Sequence, residues 1–127
     1  MTIQLNHTIV SARDKHVSAS FLAGVLGLAE PTPFGPFLIV ETGNEVSLDY
    51  MDAGGEIVNQ HYAFLVGEDE FDVIFSRIQQ RGLDYWADPG HQLPGEINTN
   101  DGGRGVYFDD PDGHNLEILT RPYGSGS

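Results

Sequence analysis

Five residues of this chain stand out by type and placement: His7, Ser47, Asp49, His61 and Glu117. Imidazoles and carboxylates are the side chains that move protons near neutral pH and hold divalent cations. The sequence has no cysteine, which excludes disulfides, thiolate zinc sites, iron–sulfur clusters and a thiol nucleophile. Any cation bound here must therefore be held by nitrogen and oxygen. Six Lys and Arg stand against 19 Asp and Glu, a formal net charge of −13 over 127 residues. So few scattered cations cannot neutralise a phosphate backbone, so neither nucleic acid nor an acidic membrane surface is expected as a partner. Most of the carboxylates read as a solvated, self-repelling surface. A site needs only one or two of them set apart.

Alternation along strands sets them apart. In the run from Glu45, Val46, Leu48 and Tyr50 share one face, and Ser47, Asp49 and Met51 the other. In the run from His61, Tyr62, Phe64 and Val66 oppose His61, Ala63 and Leu65. Near the end of the sequence, Leu116 and Ile118 oppose Asn115, Glu117 and Leu119. One face is bulky and apolar, suited to packing under helices. The other carries His7, Ser47, Asp49, His61 and Glu117, a polar cluster where a core would be apolar.

The elements that must position these residues come in duplicate. Residues 5–10 read as a strand, followed by capping residues at 11–14 and an apolar helical stripe at Val17, Phe21, Val25 and Leu28. Residues 61–66 start again as a strand. Acidic Glu68, Asp69 and Glu70 follow where a helix N-terminus favours them, then a stripe at Phe71, Ile74, Phe75 and Ile78. His7 to Gly27 is 20 residues and His61 to Gly82 is 21. Each helix is followed by two strands: 37–41 and 45–51 across a turn at 42–44, then 105–109 and 115–120 across Asp-Pro-Asp-Gly at 110–113. Weaker strands are expected near 33–34 and 84–86, and a long loop over 88–103. The expected fold is α+β: two βαβββ modules, about 3–52 and 60–121, pairing into a curved, barrel-like mixed sheet with helices outside. Together they form one domain over 1–123, with residues 124–127 a flexible tail. No basic patch followed by a long apolar run opens the sequence, so a cytoplasmic protein without a membrane span is expected.

The paired modules, His-Tyr-Ala-Phe at 61–64 and Val-Tyr-Phe-Asp-Asp-Pro-Asp-Gly-His-Asn-Leu-Glu at 106–117 resemble the vicinal oxygen chelate superfamily. That group includes glyoxalases, fosfomycin-resistance thiol transferases, extradiol dioxygenases and bleomycin-resistance proteins. The resemblance implies metal ligands on the first and last strands of each module, which places them at His7, position 47, His61 and Glu117. Setting Gly43 on Gly113 puts Ser47, a poor ligand, opposite Glu117, with Asp49 a possible substitute two residues on. The expected site is therefore His7, His61 and Glu117 with open positions, holding Fe2+, Mn2+, Zn2+, Co2+ or Ni2+.

The resemblance also implies a role for Tyr107, ten residues before Glu117, as an acid or hydrogen-bond donor to substrate. Ser47, Asp49 and Arg104 are weaker candidates for the substrate pocket, and His16, His91 and His114 are expected at the surface. Residues 97–100 lack the histidine of ring-cleaving members, and Ile9 and the sparse basic residues depart from the fosfomycin pattern. The first expectation is dioxygenase-type chemistry on an oxygen-rich small molecule that chelates the metal. The alternatives are a glyoxalase-like lyase, a thiol transferase, or a non-catalytic drug- or metabolite-binding protein. A C2 homodimer with sites shared between subunits is expected by the same resemblance.

Overall fold

A computed structural model of the chain describes residues 3–126. The architecture is α+β, and it divides into two compact units, residues 1–58 and 59–127, which correspond to the two expected modules.

The first module runs β1 (His7–Ala12), α1 (Lys15–Leu26), β2 (Thr32–Phe34), β3 (Phe37–Glu41) and β4 (Ser47–Asp52). Its sheet has the order β1-β4-β3-β2, with β1 parallel to β4 and the other pairs antiparallel. Asp14 caps α1 by accepting from the backbone N–H of His16, and Gly27 ends it at φ 74°, a left-handed turn that costs glycine nothing. The helix packs across β3, β4 and β1. Leu22 and Val25 of the helix are buried, as are Val10, Val40, Leu48 and Tyr50 of the sheet, the last two on the bulky face read from alternation.

The second module repeats the plan: β5 (His61–Leu65), α2 (Glu68–Gln80), β6 (Tyr85–Trp86), β7 (Gly105–Asp109) and β8 (Asn115–Leu119), in the order β5-β8-β7-β6. Glu70 reaches back to accept from the Gly67 N–H at 2.8 Å, half of a capping box. Phe71, Ile74 and Ile78 of α2 are buried, as are Val106, Phe108, Leu116 and Ile118 of the sheet. Residues 88–99 are tied down rather than loose. Asp88 accepts from the N–H groups of Gln92 and Leu93, and the Asn98 side chain donates to the Ala87 carbonyl. His91, at φ 59°, lies flat on Trp86 with ring centroids 3.6 Å apart.

Register shows how the modules correspond. His7 is opposite Ser47 as His61 is opposite Asn115, and Glu41 is opposite Ser47 as Asp109 is opposite Asn115. Both β-hairpins therefore enclose five residues, 42–46 and 110–114, closed by the same bond: Thr42 N–H to Val46 O, and Asp110 N–H to His114 O. The left-handed position, Gly113 at φ 88°, corresponds to Glu45 at φ 65°. Pairing Gly43 with Gly113 is thus off by two. The counterpart of Glu117 is Asp49, opposite Ile9 as Glu117 is opposite Ala63, and not Ser47.

Two further expectations need correction. His114 is buried, 1% exposed, with Nδ1 accepting from the Gln60 N–H and its ring edge-on to Tyr62. It fills the base of the turn instead of facing solvent. The segment after β8 is also held, not free: Gly124 and Gly126 donate their N–H groups to Asp101 Oδ1 at 3.1 and 3.3 Å. Ser127, the last residue of the expected tail, lies outside the described residues. Among the described residues no helix is long and apolar enough to cross a membrane.

Candidate functional site

The site forms where β5, β7 and β8 run side by side in the second module. His61 opens β5, and Glu117 sits mid-strand on β8. Tyr107, on the strand beyond, is directly opposite Glu117 in the β7–β8 register, so the two side chains share a face. His61 Nε2 lies 3.1 Å from Glu117 Oε1, and the imidazole stacks on the Tyr107 ring at 5.8 Å and 27°. Glu117 is only 1% exposed although it stands on the polar face.

The hydrogen bonds fix where the protons sit. His61 Nδ1 is 3.0 Å from the carbonyl of Asn115, which can only accept, so Nδ1 carries the hydrogen. In the neutral ring Nε2 then bears a lone pair, and it faces a carboxylate oxygen. Two acceptors at that separation need a proton or a cation between them. Two donor atoms about 2.1 Å from one ion and roughly at right angles lie about 3 Å apart, so the pair fits a divalent metal. A ligating histidine typically donates its other N–H to a carbonyl or carboxylate, as His61 does.

Glu117 Oε1 accepts a hydrogen bond from the hydroxyl of Tyr123 at 2.5 Å. The Tyr123 oxygen is in turn 3.1 Å from that of Tyr107. The carboxylate cannot donate, so the Tyr123 proton goes to Glu117 and Tyr107 donates to Tyr123. Burial, chiefly, raises the pKa of both phenols, and the Glu117 charge beside them raises it further. Both therefore stay protonated at neutral pH. Tyr123 escaped the sequence reading because it falls between the end of the second module at 121 and Gly-Ser-Gly-Ser at 124–127, where no periodicity marks it. An aromatic closely following β8 was the available signal.

The other candidates make contacts of their own. Arg104 spends its guanidinium on α2: Nε donates to Glu68 Oε1 at 2.9 Å, Nη1 to Asp72 Oδ1 at 2.8 Å, and the plane lies over Phe71 at 4.4 Å. It takes no part in the His61–Glu117 chain. His7, in the first module, is exposed, with Nδ1 2.7 Å from Asn6 Oδ1. Asp49, 8% exposed, accepts from Ser47 Oγ at 2.7 Å. Among the described residues no three His, Asp or Glu side chains converge as a ready metal cluster. What is brought together is a pair, His61 and Glu117, with two phenols behind it.

Known proteins carry the same fold and sequence pattern. Over 97% of this chain and 99% of its own length, the oxidase ChaP-H1 superposes with a TM-score of 0.96 and 68% identity. The oxidase ChaP-H2 matches the whole of both chains with a TM-score of 0.97, also at 68% identity. Glutathione transferase FosA of Serratia marcescens is 31% identical over 93% of this chain and 81% of its own. The sequence profile of the glyoxalase/bleomycin resistance protein/dioxygenase superfamily matches residues 4–118, and the chain belongs to that superfamily.

Proposed function

We propose that this chain is a divalent-metal-dependent oxidase acting on a small molecule that presents adjacent oxygens to the metal. The observation that carries the reading is His61 Nε2 lying 3.1 Å from the buried Glu117 Oε1 while Nδ1 is turned to the Asn115 carbonyl, an arrangement that a cation held by both would complete. The likeness to two oxidases at 68% identity supports oxidation as the reaction type.

His61 and Glu117 are the proposed ligands. His7 is a further proposed ligand because it holds the position in the first module that His61 holds in the second, and Asp49 is by register the carboxylate counterpart of Glu117. When bound, a divalent ion supplies Lewis acidity toward substrate oxygens and, as Fe(II), the one-electron chemistry that lets dioxygen react. The residues supply the rest. The Asn115 carbonyl fixes the tautomer and tilt of His61. The buried sheet around Glu117 keeps water from competing for the carboxylate. Tyr107, protonated and stacked on His61, can donate to a substrate oxygen once it gives up its hydrogen bond to Tyr123. A homodimer with shared sites belongs to the same proposal.

Thiol transfer is the second reading, favoured by the 31% identity to a glutathione transferase. The commitment of Arg104 to Glu68 and Asp72 weighs against it, since an anionic electrophile would need that charge. The discriminating experiment measures metal content of the purified protein, then oxygen uptake and thiol consumption with polyphenolic and epoxide substrates. The expected result is stoichiometric divalent metal, lost in His61→Ala, with Fe(II)-dependent oxygen uptake and no thiol consumption. Thiol consumption without oxygen uptake would reverse the assignment, and full metal content in His61→Ala would remove the metal from it.

A further inference from the structure

The segment after β8 is built into the second module, and the way it is built points at Glu117. Residues 121–126 are tied to the module through Asp101 and shaped by bonds among themselves. Asp101 Oδ1 accepts from the N–H groups of Gly124 and Gly126. Ser125 returns both its N–H and its hydroxyl to the Pro122 carbonyl, at 3.1 and 2.6 Å. The Arg121 guanidinium donates to the Ser125 carbonyl at 3.0 Å.

The peg is itself strained. Asp101 sits at φ 57° in a short 3-10 turn, a conformation that costs a non-glycine residue about 1 kcal/mol or more and persists only where neighbours enforce it. The segment also lies close against Gly103, where an added Cβ would come within 2.5 Å of Thr120 Oγ1 and 2.7 Å of Arg121 Cγ. A side chain at Gly126 would collide with the backbone of Asp101. Several independent fittings thus converge on one placement, and that placement sets the position of Tyr123. Tyr123 is 63% exposed and so contributes little as core. Its hydroxyl, however, ends on a carboxylate that is 1% exposed.

We infer that Tyr123 is a positioning residue for the metal-binding carboxylate: its hydroxyl fixes Glu117, and Asp101 is the peg that holds Tyr123 there. The inference rests on the proposed reading of Glu117 as a ligand. A glutamate has three side-chain torsions, and a bond from a donor to Oε1 selects among them before any ion arrives. At 2.5 Å the bond falls in the range of O–H···O⁻ contacts, which are shorter and about twice as strong as neutral ones. The same hydroxyl accepts from Tyr107, so one residue orients both the carboxylate and the Tyr107 phenol.

The test is a titration of the metal-free protein with Co(II), followed by calorimetry and by the visible absorption of bound Co(II), with thermal unfolding as a check on the fold. Tyr123→Phe, which removes one oxygen from an exposed ring, is expected to weaken Co(II) binding about tenfold and to shift the absorption bands, with the unfolding midpoint unmoved. Asp101→Ala, which frees the segment without touching Glu117, is expected to change both in the same direction by less. Parent-like affinity and spectrum in Tyr123→Phe, beside a Glu117→Ala variant that has lost Co(II), would overturn the inference alone. Retention of Co(II) by Glu117→Ala would overturn the metal reading and this inference with it.

Discussion

The two modules share strand order, register and hairpin length, yet they use their equivalent positions differently. Each opens on a histidine whose Nδ1 meets a local oxygen, that of Asn6 in the first module and of Asn115 in the second. Each carries a buried carboxylate two residues into its last strand. In the second module that carboxylate, Glu117, meets an imidazole and a phenol; in the first, Asp49 is satisfied by the hydroxyl of Ser47. Where Tyr107 faces Glu117, Ile39 faces Asp49. The duplication preserved the scaffold and one histidine and one carboxylate per module, while the proton-handling groups gathered in the second.

The largest effect expected from breaking this symmetry is on metal affinity. Glu117→Ala should lower it by at least about a hundredfold, because the other donors cannot replace a buried carboxylate. Asp49→Ala should cost about tenfold and Ser47→Ala about threefold or less, since Ser47 then serves only to hold Asp49. Pairing by the hairpin glycines gives Ser47 the ligand position and so predicts the reverse order for those two. Equilibrium titration of the three variants with one divalent metal separates the two correspondences.

Much of this was legible from residue types. Periods of 3.6 and 2 located both helices and the main strands, because burial enforces those patterns. Asp14 and Gly27 marked the ends of α1, since each chemistry suits one helix terminus. The modules' correspondence was misread by two residues for a physical reason. Glycine is the residue that adopts positive φ without strain, so Gly43 attracted the alignment, whereas the left-handed position in the first hairpin is held by Glu45. Tyr123 was invisible for a different reason. Its placement depends on hydrogen bonds from Gly124 and Gly126 to Asp101, more than twenty residues away, and no local pattern encodes that. His114 looked solvent-facing by its place beside a turn, but its ring closes the hairpin from inside.

The hairpin itself gives an intermediate effect, with opposite signs in the two modules. Gly113→Ala places a Cβ at φ 88° and should destabilise the protein by about 1–2 kcal/mol. Glu45→Gly relieves a strained residue at φ 65° and should stabilise by about 0.5–1 kcal/mol, the relief being partly offset by the greater freedom of glycine in the unfolded chain. Denaturant unfolding of both variants reads the two signs directly. If both changes were destabilising, Glu45 would be held by something other than its backbone, and the equivalence of the two hairpins would lose its energetic basis.

The smallest effect concerns how the helices are anchored. The first module caps α1 with Asp14 and ties Lys15 to the Pro36 carbonyl, while the second clamps the start of α2 from outside with Arg104. Hydrogen bonds from Thr120 and Arg104 hold the Glu68 carboxyl below its ordinary value of 4.5. A carboxyl held low in the folded state contributes stability that is fully present above the unfolded value and is lost as pH falls through the folded one. Arg104→Gln should therefore lower the unfolding midpoint slightly at neutral pH, and the deficit should shrink as pH falls below about 4.5. It should shrink with added salt at neutral pH as well, because Glu68 and Asp72 are exposed. A deficit independent of both pH and salt would assign the effect of Arg104 to its stacking on Phe71 rather than to its charge.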